Sequence, residues 1–412
     1  MCPAAITGEF LLTRQTPRRE RLRARARSRS LFRMKLSVVI PYRGRLPYLQ
    51  RMLRALVDQD LAADRYEIVI GCLEYCPEVT RYIADLPRRV SIRCVMSDEP
   101  WQVGVARNHA FRSAEGDLLV LVDVDMLLPR PALRLIAERF ERDSTPRAVI
   151  GQMLGYVYTR DTGTVDLEPY EFFRDRFLAT ADRSGFEPDE RWTLARRVPW
   201  SLCWTALMAI PRAAVVEHDL YFDRVFRGWG AEDLEWGYRI AVAGLRIEFA
   251  DDWWAIHMPH PRDTARNEAA IDRNYDAFIA KWPHFDVELI ATFGEPAVDR
   301  RFDEFEAERA SVAGAGANTA VVELMADGRR HLAIGVVHDS AGRLLNATDI
   351  PGFPDCEIRN VLPLLGLRLP FAPGSIDTAY LLPPIGRAAP ELRALIQRAA
   401  GRVARRTMEL AR

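Results

Sequence analysis

Residues 36–40, Leu-Ser-Val-Val-Ile, form a short and almost wholly apolar run that Pro41 closes, which reads as a buried strand. Over 46–59 the apolar residues Leu49, Leu53 and Leu56 recur at helical spacing. The pattern then predicts a strand at 67–70, a helix over 77–86, a strand at 91–96, a helix over 103–114 and a strand at 117–122. Strands that alternate with single helices specify an α/β fold with a mostly parallel sheet covered on both faces. Ligands of such sheets gather beyond the carboxyl ends of the strands, so the residues just after each strand are where chemistry is expected.

Farther along, 151–197 is less regular and rich in aromatic and charged residues, as acceptor-side loops would be. An apolar run covers 199–210, a helix is expected over 231–243 and a strand over 245–249. The composition changes near 309, and an Ala/Gly stretch at 313–317 reads as a linker. The expected organisation is a main domain at 35–300, a linker at 301–318 and a small α/β module at 319–412. The main domain divides into a nucleotide-binding half, 35–130, and an acceptor and metal half, 131–300. The module would hold strands near 320–325, 331–338 and 375–382 and end in a basic helix over 391–406. No internal repeat is present. Residues 1–34 form an arginine-rich tail, read as a disordered leader or an over-long gene start, and alternatively as a basic arm for anionic lipid or a polyanionic acceptor.

The 412 residues are 49% hydrophobic and 28% charged, which suits globular domains with real cores. Formal net charge is zero, so nothing marks the whole molecule for nucleic acid. No apolar run approaches the roughly 20 residues of a membrane-spanning helix. Residues 1–10 lack the basic start and apolar middle of a secretory signal. The six cysteines, Cys2, Cys72, Cys76, Cys94, Cys203 and Cys356, are scattered and read as reduced thiols. A cytoplasmic protein is expected, with peripheral contact at the inner membrane surface open to the tail.

The strand at 118–122 runs into Asp123-Val124-Asp125. Side chains two apart on an extended chain share a side, so both carboxylates should meet at the strand's end. Alone they would repel, and a divalent cation would relieve that and bridge the phosphates of a nucleotide diphosphate. Oxygen ligands suit Mg²⁺ or Mn²⁺. His257 and His260 follow a later strand, and an imidazole added to the set favours Mn²⁺. Isolated, each histidine would read as a core or surface residue. Arg227-Gly228-Trp229-Gly230-Ala231-Glu232-Asp233 opens a helix: its glycines admit close approach, Trp229 offers a flat face to a sugar, and Glu232 and Asp233 sit in the first turn. One of these acids could take a proton from an attacking hydroxyl, and the plainer reading is that both merely cap the helix. After the first strand, Tyr42 could pack on a base, and Arg43 and Arg45 could pair with phosphates or stand solvated. Arg107, in Gly104–Asn108, could reach a phosphate or anchor its helix.

Taken in chain order, 40–45, 104–108, 123–125, 228–233 and 257–262, these five segments resemble the GT-A glycosyltransferases. The likeness is to family 2 enzymes with a galactosyltransferase-type C-terminal segment, such as β-1,4-galactosyltransferases and chondroitin polymerase modules, and it covers about 35–283. The resemblance implies a hexose or N-acetylhexosamine moved from a UDP-sugar to a hydroxyl of a carbohydrate, glycolipid or small-molecule acceptor. It implies Asp125 as principal metal ligand, Asp123 nearer the ribose and the metal's waters, and His260 and His257 as further ligands. It implies Asp233 as the base of an inverting reaction and Glu232 as the acceptor-binding acid. Pro41, Tyr42, Arg43, Arg45, Arg107, Asp123, Val124, Trp229 and Gly230 would hold the nucleotide-sugar, with Trp229 on a loop that closes over it. The family's Asp pair after the second strand is replaced by Gly71-Cys72-Leu73-Glu74, where Glu74 is the acid at hand. A sugar nucleotidyltransferase would need a glycine-rich triphosphate loop, and 42–46 has one glycine. A non-catalytic carbohydrate-binding protein would have no use for Asp123, Asp125, Asp233 and His260 together.

Overall fold

The computed structural model describes residues 33–87, 89–156 and 166–410, so the basic tail lies almost wholly outside the described residues. Among the described residues, thirteen strands form two sheets. The first contains β1 (Leu36–Tyr42), β2 (Tyr66–Cys72), β3 (Ser91–Met96), β4 (Leu118–Val122), β5 (Met126–Leu127), β6 (Arg147–Leu154), β7 (Leu207–Pro211) and β8 (Arg246–His257). The second contains β9 (Asn318–Ala326), β10 (Arg329–His338), β11 (Glu357–Leu362), β12 (Ile376–Leu381) and β13 (Ala404–Glu409). The helices are α1 (Leu46–Val57), α2 (Pro77–Asp85), α3 (Val103–Ser113), α4 (Ala132–Arg142), α5 (Tyr170–Phe173), α6 (Arg212–Glu217), α7 (Glu232–Val242), α8 (Thr264–Lys281), α9 (Phe285–Phe293), α10 (Glu295–Ala313) and α11 (Pro390–Val403).

Strand order in the first sheet is β3-β2-β1-β4-β7-β6-β8-β5. β3, β2, β1 and β4 are mutually parallel, β7 runs against β4 and β6, β8 runs with β6, and β5 runs against β8. The chain winds outward from β1 to β3 and then returns to β4 on β1's other side. That reversal opens a crevice at the carboxyl ends of β1 and β4, where the sheet leaves room for a ligand. Both faces of β1, β2 and β4 are buried, which explains why their sequences are apolar runs rather than alternating patterns.

Three expectations need correction. The stretch expected as a linker is helical to Ala313, because α10 turns Val298, Phe305 and Val312 into a core. That core also takes Trp200, Tyr238 and Phe278 from the first sheet's side and Val321, Leu332, Ala379 and Ile396 from the second. The C-terminal helix ends at Val403, and the last residues pair in parallel with β12 as strand β13. The strand expected at 245–249 runs on to His257. β11 was not foreseen: it is an edge strand with five of its six residues exposed, and it carries no apolar run.

Candidate active site

β4 stops at Val122, and the chain turns at once. Asp123 O accepts from Met126 N at 3.0 Å. The two carboxylates therefore diverge, contrary to the alternation expected of an extended chain. Asp123 faces α3 and accepts from Arg107 Nη2 at 2.7 Å. Asp125 faces the end of β8. The short antiparallel ladder Met126↔His257 and Leu127↔Ile256 brings the two segments together, and Met258 N donates to Asp125 O at 2.8 Å. Asp125 Oδ2 lies 3.2 Å from His260 Nε2, and Oδ1 lies 3.9 Å from His257 Nε2. Arg45 Nη1 donates to the same Oδ2 at 2.7 Å, and its Nη2 lies 3.2 Å from His260 Nδ1.

One ligand atom from each of Asp125, His257 and His260 falls within a 4.8 Å cluster. Burial would raise the Asp125 carboxyl, but His257, His260 and Arg45 overcome it and hold it below the usual carboxylate range. Burial pushes His257 down to about 4, against the pull of Asp125, and lowers His260 as well. Two neutral imidazoles and one ionised carboxylate at this spacing fit a divalent cation with mixed N and O ligands. Asp123 stands outside this trio and is paired with Arg107.

The opposite wall begins at the Trp229 loop. Gly228 and Gly230 have φ of 86° and 91°, and Ala231 has φ of 65°. A Cβ at Gly228 would come within 2.8 Å of Ala270 Cβ, and one at Gly230 within 2.8 Å of Ile271 Cγ1. The glycines thus let the loop lie directly on α8. Asn274 of that helix fixes it, donating to Gly230 O at 2.7 Å and accepting from Arg227 N at 3.1 Å. The loop delivers Glu232 and Asp233 to the first turn of α7. Burial pushes Asp233 up to about 6, against the pull of Arg107. Burial and then Asp233's charge push Glu232 up to about 8. Arg107 Nη1 is 3.8 Å from Glu232 Oε1, so one guanidinium lies between the two walls.

Both walls enclose one cavity of about 920 Å³. Pro41, Arg43, Arg45, Arg107, Asp123, Val124, Asp125, Trp229, Gly230, Glu232, Asp233, His257 and His260 all line it. Tyr42 does not. It continues the face of β1 that carries Val38 and Ile40, is 1% exposed, and packs in the core, where burial raises its hydroxyl well above the usual range. It has no face to offer a base. Glu74 is exposed and outside the lining. Among the lining residues that carried no motif are Trp101, Tyr156, Glu190, Trp204, Tyr275 and Glu295. Trp101 sits 5.6 Å under the Arg43 guanidinium. Tyr156 and Glu190 fall in the aromatic and charged stretch 151–197, which singled them out no better than their neighbours, and the other four carried no signal.

A sheet that opens at its β1/β4 switch point, with a cation trio facing an acid pair across the opening, defines a sugar-transferring enzyme of the GT-A class. The chain belongs to the family described as glycosyltransferase like family 2, whose model matches residues 34–275, and it is a glycosyltransferase. It is similar to validoxylamine A glucosyltransferase of Streptomyces hygroscopicus subsp. jinggangensis (strain 5008), with 27% identity over 66% of this chain and 68% of that protein. Among solved structures it is similar to S. aureus TarS 1–349 in complex with UDP-GlcNAc, at 16% identity, 68% and 76% coverage of this chain and that one, and a TM-score of 0.45. It is also similar to the mannosyltransferase PcManGT of Pyrobaculum calidifontis in complex with GDP-Man and Mn²⁺, at 19% identity, 73% and 84% coverage and a TM-score of 0.45. Among the described residues no helix is long and apolar enough to cross a membrane.

Proposed function

We propose that the protein transfers a hexose from a UDP-sugar to a hydroxyl of a small polyhydroxylated acceptor, with inversion, and that it uses Mn²⁺. The observation that carries this is that the Asp125, His257 and His260 trio and Asp233 line one cavity. A divalent cation held by the trio would neutralise charge on the departing diphosphate. Arg43 and Arg45 supply positive charge on the donor side, and Arg107 orders Asp123 on the metal side while it faces Glu232. Asp233, an acid raised towards neutral pH, takes the proton of the acceptor hydroxyl as that oxygen attacks the anomeric carbon. A single displacement, with Asp233 as base for the attacking hydroxyl, inverts the anomeric carbon. The activity of the validoxylamine A relative supports glucose as the first sugar to test and a small cyclic polyol as the acceptor.

The test is a panel of UDP-sugars assayed for UDP release with and without Mn²⁺. One UDP-sugar should be turned over only with the metal. Asp125→Ala should abolish transfer and weaken UDP binding, whereas Asp233→Asn should abolish transfer and leave UDP binding intact. Metal-independent UDP binding by Asp125→Ala, or release of pyrophosphate in place of UDP, would refute the assignment.

A further inference from the structure

Between β1 and α3 the cavity lining is largely apolar, with Pro41 from the end of β1, and Trp101 and Val103 from the entry to α3. Trp101 is half-buried and packs against the buried cluster of Leu73, Val105 and Ala106. The Arg43 guanidinium lies over its ring, 5.6 Å from the centroid. Two residues on, Arg45 donates to Asp125 of the cation trio at 2.7 Å. The loop after β1 therefore links the trio to the indole. β2 runs beside β1, with Gly71 opposite Pro41, and it closes this end of the cavity without sending a polar side chain into it. A Cβ at Gly71 would come within 2.1 Å of Ala106 O, so β2 lies directly on α3 with no room for a side chain. Cys72 is fully buried in the core, and Leu73 is buried in the cluster that Trp101 packs against. Glu74, the first acid after β2, is exposed and outside the lining.

We propose that Trp101 is the platform for the donor's nucleobase, which lies on the indole beside the Arg43 guanidinium and is held by its face, with no carboxylate reading its edge. This rests on the glycosyltransferase reading above, in which the diphosphate sits at the cation trio. Stacking of a base on an aromatic side chain is worth about tenfold or more in affinity. A guanidinium at the same ring adds cation–π attraction and holds the indole in place. Every base has such a face. The platform therefore favours a nucleoside diphosphate over bare diphosphate, and it does little to tell uracil from cytosine, which differ at the ring edge. Trp101 thus takes the part for which Tyr42, buried in the core, has no face to offer.

The experiment measures binding of UDP, CDP and inorganic pyrophosphate to the full chain in Mn²⁺, by calorimetry. UDP should bind at least about tenfold tighter than pyrophosphate, and CDP should fall within about tenfold of UDP. Trp101→Ala should weaken UDP by about tenfold or more and leave pyrophosphate within about twofold, whereas Trp101→Phe, which keeps a ring, should retain most of the UDP affinity. The pyrophosphate arm separates a lost base platform from a misfolded or reshaped site. Unchanged UDP binding in Trp101→Ala, equal loss of UDP and pyrophosphate, no rescue by phenylalanine, or a gap between UDP and CDP beyond about tenfold would overturn the proposal. Failure of the unaltered protein to bind either UDP or pyrophosphate with Mn²⁺ would instead sink the glycosyltransferase donor site on which it rests.

Discussion

Asp233 and Glu232 are neighbours in one helical turn, yet their surroundings set them apart. Asp233 hydrogen-bonds its own helix through Leu234 N at 2.9 Å. Glu232 keeps a buried oxygen without a partner and feels Asp233's charge. Burial raises both carboxyls, and Asp233's charge raises Glu232 further, so Asp233 is the one that ionises first, near 6. A base works only when deprotonated, and its raised value moves the acid limb of the rate profile upward. Activity should therefore rise with pH and reach half its plateau near pH 6, where an ordinary aspartate would give about 3.9. Initial rates at saturating donor and metal, between pH 5 and 8, read this directly. A flat profile across that range would remove Asp233 as the base.

At the scale of elements, the Trp229 loop works through what it lacks. Its glycines hold positive φ and lie against α8 at distances no side chain tolerates. Gly230→Ala adds a methyl facing Ile271 and strains the backbone, at a cost of about 2 kcal/mol. The loop would lift from α8, and Glu232 and Asp233 would shift with it. We expect transfer to fall on the order of tenfold or more, since small displacements of reacting groups are costly. Under the proposed function UDP–Mn²⁺ binding would use the β1 and β4 ends, and it should change far less. Titration of UDP alongside acceptor kinetics checks both halves of this prediction, and equal loss of the two would mean that the loop also shapes the donor side. The Gly-Trp-Gly-Ala-Glu-Asp segment was legible in the sequence because its purpose is local: a tight turn followed by a helix start. The Asp-Val-Asp segment was only half legible. Its place after a strand was plain, but the turn that sends Asp123 to Arg107 and Asp125 to the histidines depends on partners more than 100 residues away in one case and on α3 in the other.

Across the whole molecule, the second sheet is built into the first domain. Glu288 of α9 is fully buried and accepts from four consecutive backbone N–H groups, those of Leu365, Gly366, Leu367 and Arg368, at 2.6 to 3.3 Å. Arg368 then pairs with Asp276 of α8 at 2.9 Å. Glu288→Ala would leave those amides without acceptors in a dry interior, and we expect a loss on the order of 3 kcal/mol. The shared core predicts that this loss appears in one cooperative denaturant transition, with no separate early unfolding of residues 318–410. Two resolved transitions in Glu288→Ala would show that the sheets unfold independently. The same continuity explains Glu295. It opens the helix that bridges the sheets, so part of the cavity lining and the C-terminal sheet are held by one element.

What the sequence determined by itself was local and periodic: the apolar runs of β1, β2 and β4, the helices between them, the glycines of the Trp229 loop and the acids that follow it. Short-range sterics and hydrophobic spacing decide such features, and they suffice to order the segments of a glycosyltransferase. Tertiary structure alone decided which of those residues meet. It buried Tyr42 on the core face of β1, gave Asp123 to Arg107, and joined Asp125 to His257 through a two-residue ladder. It also brought Glu190, Trp204 and Glu295 to the side of Asp233. Those contacts join residues far apart in the chain, and no spacing in the sequence records them, because sheet order and the packing of α10 set the distances.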